Sequence, residues 1–362
     1  MSLPFNYSFD YLLLNGREVK LRSAVREKPQ TSFEEETLHF ISSWINGEKF
    51  FSQQTSGSTG TPKIITLSRE QLVMSAQRTM SRLPVKPGQT ALVCLDTRYI
   101  AGKMMLVRAL THNLRIVATE PSGNPLQQIN DPVDFMAVVP LQMSRMMTES
   151  MHALLNISAI LIGGAPVSPV LADALRNLPN NIYATYGMTE TASNIALQRL
   201  SGPEPETAFH PLPGVEISLN DDACLIIKVP ELATPVITRD VAEIFPDGSF
   251  RILGRMDHVI NSGGIKILPE QCEKVVAAVL SRMGISYDFF VGSLPHDELG
   301  QQAVLIMEGR PLPLDTEQMI RSALKKELAL HAPRSIFYLP EFKRTSTGKI
   351  MRSETLALLH AG

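Results

Sequence analysis

"TALVCLDTRYIAGKMMLVRALTHNLRIVATE", residues 90–120, decides the fold. Its two ends, 90–96 and 114–120, are apolar β-rich runs, and residues 101–111 between them carry apolar side chains at helical spacing. Strand, helix, strand in this order implies two parallel strands joined by a crossover helix. The alternation continues outward, with strands expected at 134–140, 157–164 and 181–187 and helices at 68–82, 141–154 and 168–177. Ser68 with Gln71 three positions later makes a capping box for the first of these helices. Beyond residue 211 the pattern changes: turn signals at Asn220-Asp221-Asp222 and Asp247-Gly248 separate β runs, as in a small antiparallel element. Past 254–264 the chain reads helix 269–283, strands 287–293 and 301–308, helix 315–330 and strand 335–339, about the size of a compact α+β domain. The expectation is an α/β protein with a large domain over 1–256, built on a parallel sheet with helices and a small antiparallel element, followed by a small α+β domain over 257–362.

Composition narrows the function. With 362 residues, 44% of them apolar, the chain can bury a substantial core. A formal charge of −2 with mixed signs points away from nucleic acid or an anionic membrane and toward a small-molecule partner. Cys94, Cys224 and Cys272 are widely spaced and read as core thiols in a reducing compartment. No segment approaches the ~20 apolar residues of a membrane span, and a cytoplasmic protein is expected. The run Glu34-Glu35-Glu36 reads as a solvated helix face. His210, His258 and His296 have no metal-like partners nearby in sequence.

One loop carries chemistry. "TSGSTGTPK" (55–63) has nothing to fill a core, and its backbone N–H groups, hydroxyls and lysine suit phosphate oxygens. A flexible linker has similar composition, but this loop leads straight into a strand and a capped helix. A Walker loop needs lysine directly after its last glycine, and here Thr61 and Pro62 intervene between Gly60 and Lys63.

Five stretches in order resemble the adenylate-forming superfamily of acyl-CoA synthetases, peptide-synthetase adenylation domains and luciferases. They are 55–63, "GGAP" (163–166), "YGMTET" (186–191), "TRD" (238–240) with the hinge-like "GRMDHVINSGGIKILPEQCE" (254–273), and "RTSTGKIMR" (344–352). The resemblance implies a mobile C-terminal domain, ATP and Mg²⁺, and CoA as co-substrate. It implies that Thr55, Ser56, Gly57, Ser58, Thr59, Gly60 and Lys63 cradle phosphate. Gly163, Gly164, Ala165, Pro166, Tyr186 and Gly187 would hold adenine, with Tyr186 stacking on it. Thr189 would bond phosphate and Glu190 would ligate Mg²⁺, a hard cation that prefers oxygen. Asp240 and Arg255 would hold the ribose, Asp257 would act as hinge, and Lys349 would bridge carboxylate and α-phosphate where two anions must meet. Gly263 and Gly264 would line a CoA passage. Without the motif order, Asp240 and Arg255 would read as an ordinary ion pair.

The sequence also departs from the superfamily. Only 54 residues precede the phosphate loop, so a shortened N-terminal region is expected. Arg239 stands where the pattern has glycine, and Tyr99 where many relatives have histidine. "INSGGIKI" and "YGMTETASNIAL" look most like o-succinylbenzoate-CoA ligases of menaquinone biosynthesis, which implies a diacid substrate. Arg98, Tyr99, Gly102, Lys103, Ser193 and Asn194 are then the acyl-pocket candidates, with Arg98 or Lys103 reading the second carboxylate. Another aryl- or acyl-CoA ligase, or a nucleotide-binding pseudoenzyme, stays open, as does a homo-oligomer.

Overall fold

The computed structural model describes residues 9–54, 64–344 and 350–360. The chain divides into two compact units, one of 1–217 with 227–236 and 245–250, the other of 218–226 and 237–244 with 251–362.

In the first unit the strands are β1 (Tyr11–Leu14), β2 (Arg17–Lys20), β3 (Phe50–Gln54), β4 (Ile64–Ser68), β5 (Thr90–Val93), β6 (Arg115–Ala118), β7 (Phe135–Val138), β8 (Ala159–Ile162), β9 (Asn181–Met188), β10 (Ser193–Arg199) and β11 (His210–Pro211). Its helices are α1 (Ser32–Ile45), α2 (Arg69–Met80), α3 (Ile100–Thr111), α4 (Pro140–Glu149), α5 (Met151–Leu154) and α6 (Pro169–Leu175). Among the described residues a nine-stranded sheet runs β11-β10-β9-β8-β7-β5-β6-β1-β2. From β9 to β1 every pairing is parallel. The alternation read from 90–120 is therefore the core of the fold, and Ser68 caps α2 with both halves of its capping box formed.

Each central strand buries both faces. Ala91 and Val93 of β5 join the core under α1, α2 and α3, while Leu92 and Cys94 join the one under α4 and α6. This explains their continuous apolar runs. All three cysteines are buried and free, and burial pushes the Cys94 and Cys272 thiols up to about 12. Among the described residues no helix is long and apolar enough to cross a membrane.

Three features differ from expectation. The helix expected over 141–154 breaks at Ser150, where φ −139° and ψ 31° leave the helical region. The N-terminal β1 and β2 extend the sheet, with β1 parallel to β6. Glu34 is not on a solvated face: it is fully buried and accepts from Asn15 Nδ2 at 2.8 Å, Arg17 Nη2 at 2.6 Å and Gln30 N at 2.8 Å.

Four strands, β12 (Glu216–Leu219), β13 (Cys224–Lys228), β14 (Val236–Ile244) and β15 (Phe250–Arg255), form a separate sheet. Both expected turns are made: Asn220 Oδ1 accepts from Asp222 N and Cys224 N, and Gly248 takes φ 81° beneath a Phe245 N to Ser249 O bond.

The second unit also contains β16 (Ile260–Ser262), β17 (Ile265–Ile267), α7 (Pro269–Arg282), β18 (Phe289–His296), β19 (Gly300–Glu308), α8 (Leu314–Leu328), β20 (Ser335–Leu339) and α9 (Arg352–Ala357). Period-two alternation in β19 serves two cores: Ala303, Leu305 and Met307 pack with α7 and α8, and Val304 and Ile306 with Phe342 and Leu356.

Candidate active site

Chemistry in open parallel sheets gathers outside the carboxyl ends of the strands, where the strand order reverses. Here the chain passes from β5 through α3 to β6, then returns across β5 to β7, so the reversal lies between β5 and β7. Residues 95–103 follow β5, 163–166 follow β8 and 186–191 close β9, so all three stretches leave the sheet at that same edge.

Local packing dictates the glycines. A side chain at Gly163 would place Cβ 2.5 Å from Thr185 Oγ1, and Gly164 has φ 81°. A Cβ at Gly187 would lie 2.1 Å from Ser193 O. Gly187→Ala should therefore force β9 from β10 at the motif, costing about 1–3 kcal/mol in a thermal melt. A melting temperature equal to wild type would show that the strands can yield.

The motif turn is unusual. Thr189 is buried and Glu190 exposed, and just past Thr191 the residues Ala192 (φ 54°) and Ser193 (φ 119°) hold left-handed conformations that side chains disfavour. Such residues persist where their surroundings over-determine them, often at functional sites. Glu190 makes no hydrogen bond or ion pair among the described residues. No cluster of three or more metal-binding side chains occurs among them either. A single exposed carboxylate is a donor of the kind Mg²⁺ takes, since that ion keeps most of its shell for phosphates and water.

Tyr186 is half-buried, with its ring 5.3 Å from Phe250 and 5.8 Å from Phe209. Tyr99 precedes α3 and is partly exposed. Gly102 packs α3 onto the preceding turn, its would-be Cβ 2.5 Å from the Leu95 and Asp96 carbonyls. Arg98 is paired with the Asp96 carboxylate, which holds that acid below its usual range despite burial. Lys103 is buried, with its ammonium 3.4 Å from Ser52 O and 5.6 Å from the Phe40 ring centre, and burial lowers its pKa.

Sequence reading missed Arg108. It is 2% exposed and gives Nη2 to Asn194 Oδ1 at 2.6 Å and Ser193 Oγ at 3.1 Å. Its Nε is buried without a partner, and no carboxylate lies within ion-pair reach among the described residues. Burial pushes its pKa down to about 10. The available signal was one charge inside the apolar run Met104–Leu110.

In the second unit Arg255 reaches Asp240 at 3.2 Å and Asp257 at 2.9 Å. Arg239 lies on the exposed side of an unbroken β14, where glycine is not required. Gly263 (φ 58°) and Gly264 (φ 84°) form the two-residue turn between β16 and β17, a local reason for both glycines. The cradle 55–60 with Lys63, and Lys349, lie outside the described residues.

Residues 25–228, over half of the chain, match the AMP-binding enzyme family, and the protein belongs to that family. Two relatives bear a more particular name. The chain is 26% identical over 287 residues to the 2-succinylbenzoate–CoA ligase of Escherichia coli, covering 75% of this chain and 61% of that one. It is 29% identical over 328 residues to the ligase of that name from Staphylococcus aureus, covering 83% and 65%. Among solved structures, an acyl-CoA synthetase (AMP-forming)/AMP-acid ligase II-like protein from Dyadobacter fermentans is 36% identical, with 93% and 97% coverage and a TM-score of 0.61. The Bacillus subtilis O-succinylbenzoate coenzyme A synthetase, solved with ATP and magnesium ion, shares the fold at 22% identity, with 84% and 69% coverage and a TM-score of 0.72.

Proposed function

We propose that the protein is an AMP-forming acid–CoA ligase acting on o-succinylbenzoate in cytoplasmic menaquinone biosynthesis. The carboxylate attacks the α-phosphate of ATP, an acyl–adenylate bond forms, and pyrophosphate leaves. The CoA thiol then displaces AMP. Mg²⁺, when bound with the nucleotide, supplies positive charge to its phosphate oxygens. The chain's own residues take the remaining roles: the 55–63 loop and Thr189 bind phosphate, Tyr186 and 163–166 hold adenine, Asp240 and Arg255 hold ribose, and Lys349 joins the two anions. A rotation of 257–362 about Asp257 would exchange Lys349 for the Gly263-Gly264 turn between the two steps.

Arg108 carries the substrate reading. A buried guanidinium without an acid is costly, and a ligand carboxylate would satisfy it. It lies against Ser193 and Asn194, directly after the adenylate motif. Arg98 is occupied by Asp96 and Lys103 by the β3 backbone, so we propose Arg108 in their place as the reader of the second carboxylate. The test compares o-succinylbenzoate with its aromatic monoester. Wild type should prefer the diacid, and Arg108→Met should reduce that preference by about a hundredfold in kcat/KM. An unchanged ratio would remove Arg108 from substrate recognition.

A further inference from the structure

We infer that Ser75, on α2, is a positioning residue for Glu190, an inference that rests on reading Glu190 as the magnesium contact. The buried residues of α2 are Leu72, Ser75, Ala76, Arg78, Thr79 and Met80, two of them hydroxyls four residues apart. Packing alone requires neither hydroxyl, and a polar group buried there needs a partner. Ser75 is 1% exposed and donates from Oγ to Ala192 O at 3.1 Å. Thr79 donates to Ser75 O at 3.0 Å and accepts from Asn194 Nδ2 at 3.1 Å.

Ala192 and Ser193 are the two successive left-handed residues that end the Thr189–Thr191 turn. Side chains leave that conformation readily unless something holds it. Thr191 contributes from within, donating to Ser193 O at 2.7 Å and accepting from Met188 N at 3.1 Å. From outside, Arg108 bonds the Ser193 hydroxyl, and Ser75 reaches 117 residues along the chain to the carbonyl of Ala192, the first strained residue. Without it Ala192 can relax toward ordinary β or α backbone, which swings Glu190, two residues earlier, off its line. Ser75 acts through the turn.

The test is calorimetric titration with ATP, with and without magnesium, so that the readout is binding rather than turnover. In Ser75→Ala the gain in ATP affinity conferred by magnesium should fall about tenfold, with metal-free affinity within about twofold of wild type. Ser75→Thr keeps a hydroxyl and should keep most of the gain. Adding Ala192→Gly to Ser75→Ala should recover it, because glycine takes a left-handed conformation at no steric cost. An undiminished gain in Ser75→Ala overturns the inference, as does an equal fall in both affinities that Ala192→Gly cannot repair. If Ser75→Ala does not fold, Ala192→Val strains the same turn directly, and an undiminished gain there overturns the inference equally. Glu190→Gln separates the two layers. If it leaves the gain intact, the metal reading fails; if it abolishes the gain while Ser75→Ala does not, only the role of Ser75 fails.

Discussion

Lys349→Ala is expected to abolish adenylation, by roughly a hundred- to a thousandfold in kcat, while leaving thioester formation from supplied acyl-adenylate within a few-fold of wild type. The asymmetry follows from where the charge is needed. Carboxylate and α-phosphate repel only while their bond forms, so a lysine placed between them acts on one transition state. Its flanks are firmly anchored within the second unit. Arg344 pairs with Ile350, its guanidinium bonds Glu308 at 2.7 Å and Asp288 at 2.6 Å, and Met351 N donates to Lys343 O at 2.8 Å. Pyrophosphate release measures the first half-reaction and thioester absorbance the second. Equal loss in both would point to disruption of the domain rather than removal of a catalytic charge.

Glu231→Ala should strongly destabilise the first unit. Glu231 forms a two-pronged ion pair with Arg78 of α2, one arm at 2.6 Å, with the two side chains only 5% and 7% exposed. Gln71 of the same helix donates to Glu231 O at 3.4 Å, so the pair fastens the segment 227–236 to α2. Removing the acid strands a buried guanidinium, at a cost of about 3–5 kcal/mol, or a fall in melting temperature of roughly 10 °C. The double change Arg78→Met with Glu231→Leu removes both charges and should cost far less, since no unpaired ion remains. Differential scanning calorimetry of the single and double variants decides it. A double variant as unstable as Glu231→Ala would mean that shape, not charge, holds the segment.

The sequence by itself determined the elements and their kind. Period-two and period-3.6 patterns are local properties of adjacent residues, so β5, α3 and β6 fall within a few residues of their expected places, as do α2 with its Ser68 cap and the α7 to β20 succession. The family was legible for a similar reason: the stretches that carry the resemblance set particular side chains at short, fixed spacing. β10 and the N-terminal strands escaped notice because a four- to seven-residue strand with mixed polarity carries little periodic signal.

Tertiary structure alone decided which residues share a neighbourhood. Glu34 lies in an acidic run like any solvated helix face, and only Asn15, Arg17 and the Gln30 amide closing over it make it a buried acceptor. Arg108 looks like one charge in a helix until β10 brings Ser193 and Asn194 to it from 85 and 86 residues away. Arg78 and Glu231 are 153 residues apart, and Ser75 and Ala192 117. Burial changes the worth of each group, because a charge or hydroxyl that is nearly neutral in water must find a partner once water is excluded. No local pattern encodes that exclusion, since it depends on which strands pair and which helices cover them.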